Sequence, residues 1–308
     1  MSYLKLDGKQ LSNKIKSELK EEISKLNTTD NGPPGLGIVL VGERPDSKIY
    51  VRMKKRACES LGIANYDVLL PDTCSQQEII DEIEKMNNNP NIHGILVQLP
   101  LPKHIDEEYV LGHVAIKKDV DGFHLQNIGK LTINSMENCI VSCTPAGIFE
   151  ILKEYKIPIE GKHVVVVGRS KIVGIPTALL ALHNNATITI CHSRTKYLME
   201  KTKMADILIV ACGRSEMITK DHIKFGCVII DVGINRVDDS TRKRGYRLTG
   251  DVNYNDVCDS GKVSAITPVP GGVGPMTIAM LLKNTFMAYK NSLDSLDSLD
   301  SLDSLDNN

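Results

Sequence analysis

A basic stretch of a predicted helix contains one lysine that could act as an acid or base. The stretch reads YVRMKKR from Tyr50, and Tyr50 and Lys54 are four residues apart, which places them one above the other on a helix face. An adjacent buried seam is predicted at Ile49, Met53, Ala57 and Leu61. Lys54 then emerges at the edge of this seam, partly removed from water, and such a lysine can serve as an acid or base. The alternative is a solvated basic face.

Two further stretches place polar side chains at strand ends. Gln98 lies at the carboxyl end of the predicted strand 93–99, the edge at which open α/β sheets bind ligands. The stretch KDVDGFH (118–124) places Asp119 and Asp121 before a glycine in apolar surroundings. A carboxylate there could accept two parallel N–H bonds from an amidine-like ring edge, or it could simply form an Asx turn.

A loop rich in proline and glycine, TPVPGGVGPMT (267–277), lies between a predicted strand and a predicted helix. Such a loop presents backbone N–H groups and allows a ligand to approach the backbone closely. It could also be a plain rigid connector.

The stretch HVVVVGRSKIVGIP (163–176) has the strand–glycine turn–helix order of a dinucleotide site, although G-x-G-x-x-G is missing. Gly168 and Gly174 bracket a turn that contains an arginine and a lysine. The helix beginning near Gly174 is predicted to offer unpaired N–H groups and a positive dipole end to a pyrophosphate. The alternative is a tight turn without a ligand.

The next predicted strand ends in HSRT (192–195), which contains no acidic residue. NAD sites place a carboxylate there, about 20 residues past the loop, to bind the ribose 2′-hydroxyl. Ser193 and Arg194 would instead bind a 2′-phosphate, and Arg169 and Ser170 can reach the same corner. The sequence therefore predicts NADP, with basic residues in solvent at a strand end as the alternative.

Composition excludes several classes of protein. The net charge is −1 and Trp is absent, which disfavours nucleic-acid binding and a role at membrane surfaces. None of the eight cysteines forms C-x-x-C, so no metal site is predicted and a reducing, cytoplasmic location is expected. No apolar run approaches the ~20 residues of a membrane span.

Alternating strands and helices predict an α/β fold of two domains for these 308 residues. The predicted strands are 36–42, 65–70, 93–99, 163–167, 186–191, 206–211, 227–232 and 263–267. The predicted helices are 9–26, one from the N-cap Asp46 to Gly62, one from the capping box of Ser75 and Glu78 to 87, 106–116, one capped by Thr144, and 276–290. The SLD repeat at 292–308 matches neither structural period, so we expect a disordered and dispensable tail.

Seven stretches in order resemble one family: YVRMKKRACESLGI, GILVQLPLP, KDVDGFH, CTPAGI, VVVVGRSKIVGIP, DVGIN and TPVPGGVGPMT. The chain is similar, over about residues 2–290, to bifunctional methylenetetrahydrofolate dehydrogenase/cyclohydrolases. The resemblance implies a folate-binding catalytic domain (1–143 plus 275–291), a Rossmann-like NADP domain (144–274), an active site in the cleft between them and a homodimer. It also implies NADP-dependent oxidation of 5,10-methylenetetrahydrofolate and hydrolysis of the product to 10-formyltetrahydrofolate, in the one-carbon metabolism that supports purine biosynthesis.

The resemblance also implies roles for individual residues. Lys54 is the acid/base group, Gln98 tunes it, Tyr50 positions the folate and Asp121 holds the pterin edge. The implied folate-binding set is completed by Leu99, Pro268, Gly272 and Thr277. The implied NADP-binding set is Thr144, Gly168, Arg169, Ser170, Val173, Gly174, His192, Ser193, Arg194, Ala211, Cys212, Gly213 and Ile234.

The chain departs from the family pattern at Ser142, where relatives usually have proline, and in its SLD tail. The synthetase domain of trifunctional relatives is absent, so no ATP-dependent formate ligation is expected. Two other functions remain open at this point. One is an NADP-dependent dehydrogenase of the shikimate type, and the other is an NADP-binding relative that has lost catalysis.

Overall fold

The computed structural model describes residues 3–26, 32–137, 139–242 and 245–306, without the side chains of 295–306. Contacts divide the chain into two compact units. We call residues 14–130, 136–140 and 281 onward the three-stranded unit. Residues up to 13, 131–135 and 141–280 form the six-stranded unit.

The chain alternates between strands and helices over most of its length. The strands are β1 (Leu4–Lys5), β2 (Gly35–Val41), β3 (Ala64–Leu70), β4 (Gly94–Val97), β5 (His163–Val167), β6 (Thr187–Cys191), β7 (Ile207–Val210), β8 (Cys227–Asp231), β9 (Asn235–Asp238), β10 (Tyr246–Thr249) and β11 (Val263–Ile266). The helices are α1 (Gly8–Leu26), α2 (Pro45–Leu61), α3 (Gln76–Asn88), α4 (Glu107–Leu111), α5 (Leu125–Thr132), α6 (Cys143–Glu154), α7 (Gly174–His183), α8 (Leu198–Thr202), α9 (Tyr254–Asp259) and α10 (Val273–Asp306).

The sheet of the three-stranded unit has the order β3-β2-β4, and all of its pairs are parallel. Every residue of β2 and β4 is buried, which explains why both strands are almost continuously apolar. Parallel strands end at the same edge, so the loops that follow β2 and β4 leave the sheet on one side. The core on one face of the sheet packs Val39, Ile83 and Ile95 together.

The six-stranded unit is a parallel sheet in the order β1-β11-β8-β7-β5-β6. The chain runs from β5 to β6 on one side and then returns to β7 on the other side of β5. The strand order therefore reverses between β5 and β7, and a doubly wound sheet binds dinucleotides in the crevice at such a point. The predicted two-domain α/β fold class is confirmed.

Several predicted boundaries are confirmed by specific local contacts. The predicted strand 163–167 is β5. Ser75 and Glu78 form the predicted capping box, because the Glu78 N–H donates to Ser75 Oγ (3.2 Å) and the Ser75 N–H donates to Glu78 Oε2 (2.7 Å). Gly62 ends α2 in the left-handed conformation, at φ 79°.

Two predicted helix caps are wrong. The N-cap of α2 is Arg44 and not Asp46, because Pro45 already occupies the first turn, where its fixed φ fits and no N–H is needed. The N-cap of α6 is Ser142 and not Thr144. The Ala146 N–H bonds to the Ser142 carbonyl (3.0 Å), so the helix has begun before Thr144. Ser142 is therefore the residue from which this helix begins.

Other elements differ from the predictions in extent. The helix predicted at 106–116 is only α4, and β9 and β10 form an antiparallel ribbon that the sequence does not predict. The helix predicted at 276–290 starts at Val273 and continues to Asp306, through a segment for which disorder is expected. An existing helix extends without a new nucleation step, and leucine favours the extension. No described helix is long and apolar enough to cross a membrane.

His93 couples the stability of the three-stranded unit to pH. The Gly35 N–H donates to His93 Nδ1 (3.0 Å), and the imidazole edge packs on the Tyr289 ring at 4.8 Å between centroids. Burial, and then the charge of Lys118, lower the pKa of His93 to about 4. In the unfolded chain this group takes up a proton near pH 6.5, so stability is lost as the pH falls from 6.5 towards 4.

We therefore expect His93→Phe to flatten the pH dependence of unfolding. Phenylalanine keeps a ring against Tyr289 but cannot take up a proton, and it costs about 1 kcal/mol at neutral pH through the lost Gly35 hydrogen bond. Melting temperatures at pH 7 and pH 5 should differ less in the variant than in the parent chain. An equal drop in both proteins would contradict the assignment of this acid sensitivity to His93.

Candidate active site

Lys54 lies within the buried face of α2 and not at its edge. The side chains that α2 buries are Ser47, Val51, Lys54, Cys58 and Leu61. Lys54 is only 8% exposed, whereas Ile49 and Met53 are 47% and 48% exposed. The seam predicted through Ile49 and Met53 is therefore wrong by about one residue around the helix, and a lysine occupies an inward position.

The buried amine has a side-chain partner at the end of β4. Lys54 Nζ donates to Gln98 Oε1 at 3.1 Å. Gln98 follows β4 directly, and its N–H donates to the Val39 carbonyl (2.9 Å), which holds its backbone to β2. Gln98 Nε2 donates to the Leu99 carbonyl (2.8 Å), so the amide presents its oxygen to the lysine. Sequence reasoning placed both residues at the site, and the structure brings them into contact.

The other basic residues of this stretch have different surroundings. Lys55 forms an ion pair with Asp67 on β3, and Asp67 is the main cause of the raised pKa of Lys55. Arg52 and Arg56 are exposed. The solvated-face alternative thus holds for Arg52 and Arg56 and fails for Lys54.

Tyr50 lies one turn before Lys54 on α2 and is 37% exposed. Burial raises the pKa of the Tyr50 phenol, and the carboxylate of Asp46 raises it further. The phenol is therefore neutral at physiological pH and offers a ring face with a hydrogen-bonding tip.

The two aspartates of KDVDGFH have different roles in the fold. Asp119 is 4% exposed, and its carboxylate accepts the N–H groups of Phe123 (3.2 Å) and His124 (2.8 Å) and Nδ2 of Asn127 (2.8 Å). It therefore organises the entry into α5. Asp121 is only partly buried, so it is the carboxylate of the pair that a ligand can reach.

Two further side chains hold the loop that carries Asp121. Lys118 Nζ donates to the carbonyls of Met86 (3.1 Å), Asn87 (2.8 Å) and Asn89 (2.8 Å) and so caps the carboxyl end of α3. Asn284 Nδ2 donates to the Val120 carbonyl at 2.9 Å. Sequence reasoning missed both residues, because a lysine that caps a helix and a surface lysine look alike in a sequence.

The same loop runs alongside β4. Asp119 forms an isolated parallel bridge with Ile95, so the chain passes β4 in the direction of that strand. Asp121 comes two residues after this bridge, and Gln98 comes directly after β4. Both side chains therefore belong to the carboxyl edge of the three-stranded sheet, where α2 brings Lys54 to Gln98.

The turn after β5 is closed by its own serine. Gly168 has φ 136°, and a Cβ there would overlap the Ala211 carbonyl; one at Gly174 would overlap the Gly168 carbonyl. Ser170 Oγ accepts the N–H groups of Val173 (3.2 Å) and Gly174 (3.3 Å). The expectation that α7 offers unpaired N–H groups is wrong at these two positions, because Ser170 caps them. The Ser170 hydroxyl keeps a proton to donate, and Arg169 is exposed beside it.

The turn after β6 presents its polar side chains outward. The His192 N–H donates to Thr195 Oγ1 (2.8 Å), and the Thr195 N–H returns to the His192 carbonyl (2.8 Å). The Arg194 N–H donates to His192 Nδ1 (3.1 Å). This closed turn leaves the side chains of Ser193 and Arg194 exposed, and residues 192–196 contain no acid.

The remaining predicted residues of the six-stranded unit also lie at strand ends or helix starts. The Thr144 and Thr277 hydroxyls are 3.0 Å apart, which joins the start of α6 to the start of α10. Gly272 is buried, and a Cβ there would press on Thr267 and the Pro268 carbonyl. The residues after β7 and β8 that were predicted to bind the cofactor are Ala211, Cys212, Gly213 and Ile234.

A buried polar network below these strand ends was not predicted. It contains Asp231, at the end of β8, and Asp251, which follows β10, and both carboxylates are almost fully buried. Burial raises the pKa of Asp231 to about 7, against the effect of three backbone N–H groups that it accepts. The available signal in the sequence is an aspartate within two residues of a glycine in both DVG and GDV, which alone does not separate structural from catalytic carboxylates.

Two family models match the chain. The catalytic domain of tetrahydrofolate dehydrogenase/cyclohydrolase matches residues 6–121, and the NAD(P)-binding domain of the same family matches residues 142–293. The bifunctional protein FolD of Chloroherpeton thalassium is 52% identical over 292 residues, which cover 94% of this chain and 99% of that protein.

Solved structures agree with this match. FolD methylenetetrahydrofolate dehydrogenase/cyclohydrolase from Campylobacter jejuni is 44% identical with a TM-score of 0.89, over 94% of this chain and 99% of that chain. FolD from Trypanosoma brucei, complexed with NADP cofactor and an inhibitor, is 38% identical with a TM-score of 0.91, over 95% and 99%.

The structural role of Asp119 predicts a stability defect. Asp119→Ala removes the acceptor of three buried donors, so we expect the free energy of unfolding to fall by about 3 kcal/mol. Urea denaturation checks this value. Asp81→Ala is the matched control, because it removes one exposed side-chain hydrogen bond to Gln77 in the same unit and should change stability by less than about 0.5 kcal/mol. Similar losses in the two variants would contradict the role of Asp119.

Proposed function

The chain belongs to the tetrahydrofolate dehydrogenase/cyclohydrolase family, and we propose how its side chains divide the two reactions of that family. It is a bifunctional enzyme that oxidises 5,10-methylenetetrahydrofolate to 5,10-methenyltetrahydrofolate and hydrolyses this product to 10-formyltetrahydrofolate. The observation that carries the assignment of residues is the buried Lys54 hydrogen-bonded to Gln98 at the edge of the three-stranded sheet.

The first reaction moves a hydride and no proton. The bridging methylene carbon loses a hydride, and the two folate nitrogens share the resulting positive charge as an amidinium. The protein must therefore align the carbon and tolerate a cation. The phenol of Tyr50, one turn from Lys54, supplies a ring face for the folate.

The second reaction needs proton transfer. Water adds to the amidinium carbon and must lose a proton, and the nitrogen that leaves this carbon must gain one. The proton of the remaining hydroxyl goes to solvent as the formyl C=O forms. We assign both transfers to Lys54, as base for the water and then as acid for the nitrogen. Gln98 Oε1 holds one N–H of the lysine, so the remaining positions on Nζ face in a defined direction. Gln98 is thus the orienting partner.

The other folate contacts follow from what the fold leaves accessible. We propose on the family resemblance that Asp121, which is partly exposed where Asp119 is buried, accepts two N–H bonds from the pterin edge. We propose Leu99, Pro268, Gly272 and Thr277 as further contacts on the family resemblance.

NADP is the proposed cofactor, and the six-stranded unit fits it. When bound, NADP supplies the acceptor for the hydride. Arg169, Ser193 and Arg194 are exposed around a strand-end corner that has no acid, which suits a 2′-phosphate and not a bare ribose hydroxyl. The remaining members of the predicted NADP set are proposed on the resemblance, and most of them lie at strand ends or helix starts of this unit.

Two alternative functions are not favoured, and the oligomeric state and cellular location are proposals. A shikimate-type dehydrogenase or a non-catalytic relative is not favoured, because both family models that match are those of the folate enzymes. We propose a homodimer in the cytoplasm that feeds formyl groups to purine biosynthesis. None of the eight cysteines forms a disulfide, which agrees with a reducing compartment.

The central prediction separates the two activities at Lys54. Lys54→Met keeps the length of the side chain but cannot exchange protons, so cyclohydrolase activity should fall by ~10²–10⁴-fold. Dehydrogenase activity should fall by less than about tenfold, because only positioning is altered. Both rates are measured on one purified sample by the absorbance of methenyltetrahydrofolate.

Lys55→Met is the matched control, since it removes the neighbouring lysine and its ion pair with Asp67 without touching Gln98. Both activities should stay close to those of the parent. Retained NADP binding in Lys54→Met shows that the chain is folded. Cyclohydrolase turnover in Lys54→Met within a few-fold of the parent would remove the lysine from the mechanism.

Cofactor choice is tested at the corner formed by Arg169 and Arg194. Replacing both by Ala should weaken NADP binding by roughly 10²-fold or more and NAD binding only slightly, because the lost hydrogen bonds are charge-assisted ones to the 2′-phosphate. Titration calorimetry with both cofactors checks this. Arg247→Ala, which removes an exposed arginine paired with Glu216, should leave both affinities unchanged. Equal losses for NADP and NAD would place the 2′-phosphate elsewhere.

A further inference from the structure

A fully buried carboxylate lies beneath the loop that follows β7. Asp251 is 0% exposed. Its Oδ2 accepts the backbone N–H groups of Cys212 (2.7 Å) and Gly213 (2.9 Å), and its Oδ1 accepts Nδ2 of Asn235 (2.8 Å). One side chain therefore joins the loop after β7 to the start of β9.

A second buried carboxylate fixes the first. Asp231 Oδ1 accepts the N–H groups of Gly233 (3.0 Å) and Asp251 (2.9 Å), and its Oδ2 accepts the Val252 N–H (3.0 Å). The packing leaves no room for side chains, because a Cβ at Gly250 would overlap Asp231 and one at Gly233 would overlap Asp251. The position of Asp251 is thus set by the hydrogen bond from its own backbone N–H to Asp231.

The loop that Asp251 holds lines one side of the nucleotide crevice. Strand order reverses between β5 and β7, and a dinucleotide lies across the carboxyl edge at such a point. The corner with Ser193 and Arg194 is at β6, so it takes the adenosine side. The opposite side, towards β7 and β8, is then the side of the nicotinamide, and the backbone of Cys212 and Gly213 lies there.

We propose that Asp251 is a positioning residue for hydride transfer, which holds the backbone of Cys212 and Gly213 in the place that aligns the nicotinamide ring. This inference rests on the proposed binding of NADP to the six-stranded unit. Asp251 does not touch the cofactor and acts through the two backbone groups. Loss of its acceptor should release the loop and disturb the nicotinamide end while leaving the adenosine end intact.

The test compares NADP with 2′-phospho-ADP-ribose, which lacks the nicotinamide. For Asp251→Ala we expect affinity for this fragment within about twofold of the parent and a dehydrogenase kcat lowered by about 10²-fold, the cost of a misplacement of about 1 Å. Cyclohydrolase activity, which uses no cofactor hydride, should change by only a few-fold. Equal losses of fragment affinity and NADP affinity would overturn the proposal.

Asp206→Ala is the matched control for a purely structural carboxylate. Asp206 accepts the His163 N–H (2.8 Å) and pairs with Lys224 (2.7 Å) at the opposite, amino edge of the same sheet. It should lower the melting temperature without a selective loss of dehydrogenase kcat. A dehydrogenase loss in Asp251→Ala no larger than in Asp206→Ala would also overturn the proposal.

Asp251→Asn keeps the shape and covers the case in which the alanine variant does not fold. Its Oδ1 can still accept from Cys212 and Gly213, while its amide nitrogen meets an Asn235 side chain that can turn to accept. We expect dehydrogenase kcat within about tenfold of the parent. A loss as large as that expected for Asp251→Ala would refute the role of these hydrogen bonds. A parent chain that binds neither NADP nor the fragment would instead refute the proposed function.

Discussion

A polar group buried at the end of a strand must find hydrogen-bond partners, and this constraint organises the working edges of both units. In the three-stranded unit, α2 buries the amine of Lys54, and the amide of Gln98 after β4 accepts one hydrogen bond from it. In the six-stranded unit the buried groups are the carboxylates of Asp231 and Asp251, and backbone N–H groups satisfy them. The same physical requirement therefore leads to a group suited to proton transfer in one unit and to a rigid loop in the other.

The difference lies in what is left over after the partners are counted. Asp119 is 4% exposed and its carboxylate accepts three donors from residues 123–127, whereas Lys54 has one described acceptor for a group that can make three bonds. A residue whose hydrogen bonds are all used within the protein can only hold a loop. A residue with capacity left, next to a sheet edge that binds ligands, can act on a substrate.

Local patterns in the sequence predict the elements well where burial is uniform. The predictions of β5, with its four consecutive valines, and of the capping box of α3 are correct because each depends on neighbours in sequence. The prediction of the inward face of α2 is wrong, because Ile49 and Met53 are apolar but exposed while Lys54 is buried. Hydrophobic periodicity assumes that apolar side chains point inward, and this assumption fails on this helix.

The sequence predicts which residue types belong to the site but not which of them hold the fold and which contact a ligand. Nothing local separates Asp119 from Asp121, or Asp251 from a catalytic carboxylate, because the donors that distinguish them come from chain segments folded beneath them. For Asp251 these are Cys212 and Gly213, almost forty residues earlier. Residues that perform chemistry tend to stand in short motifs at strand ends, whereas residues that hold those motifs are defined by tertiary contacts. The alignment of the hydride donor with its acceptor depends on both, so we expect the rate of the first reaction to depend in part on side chains that never meet the substrate.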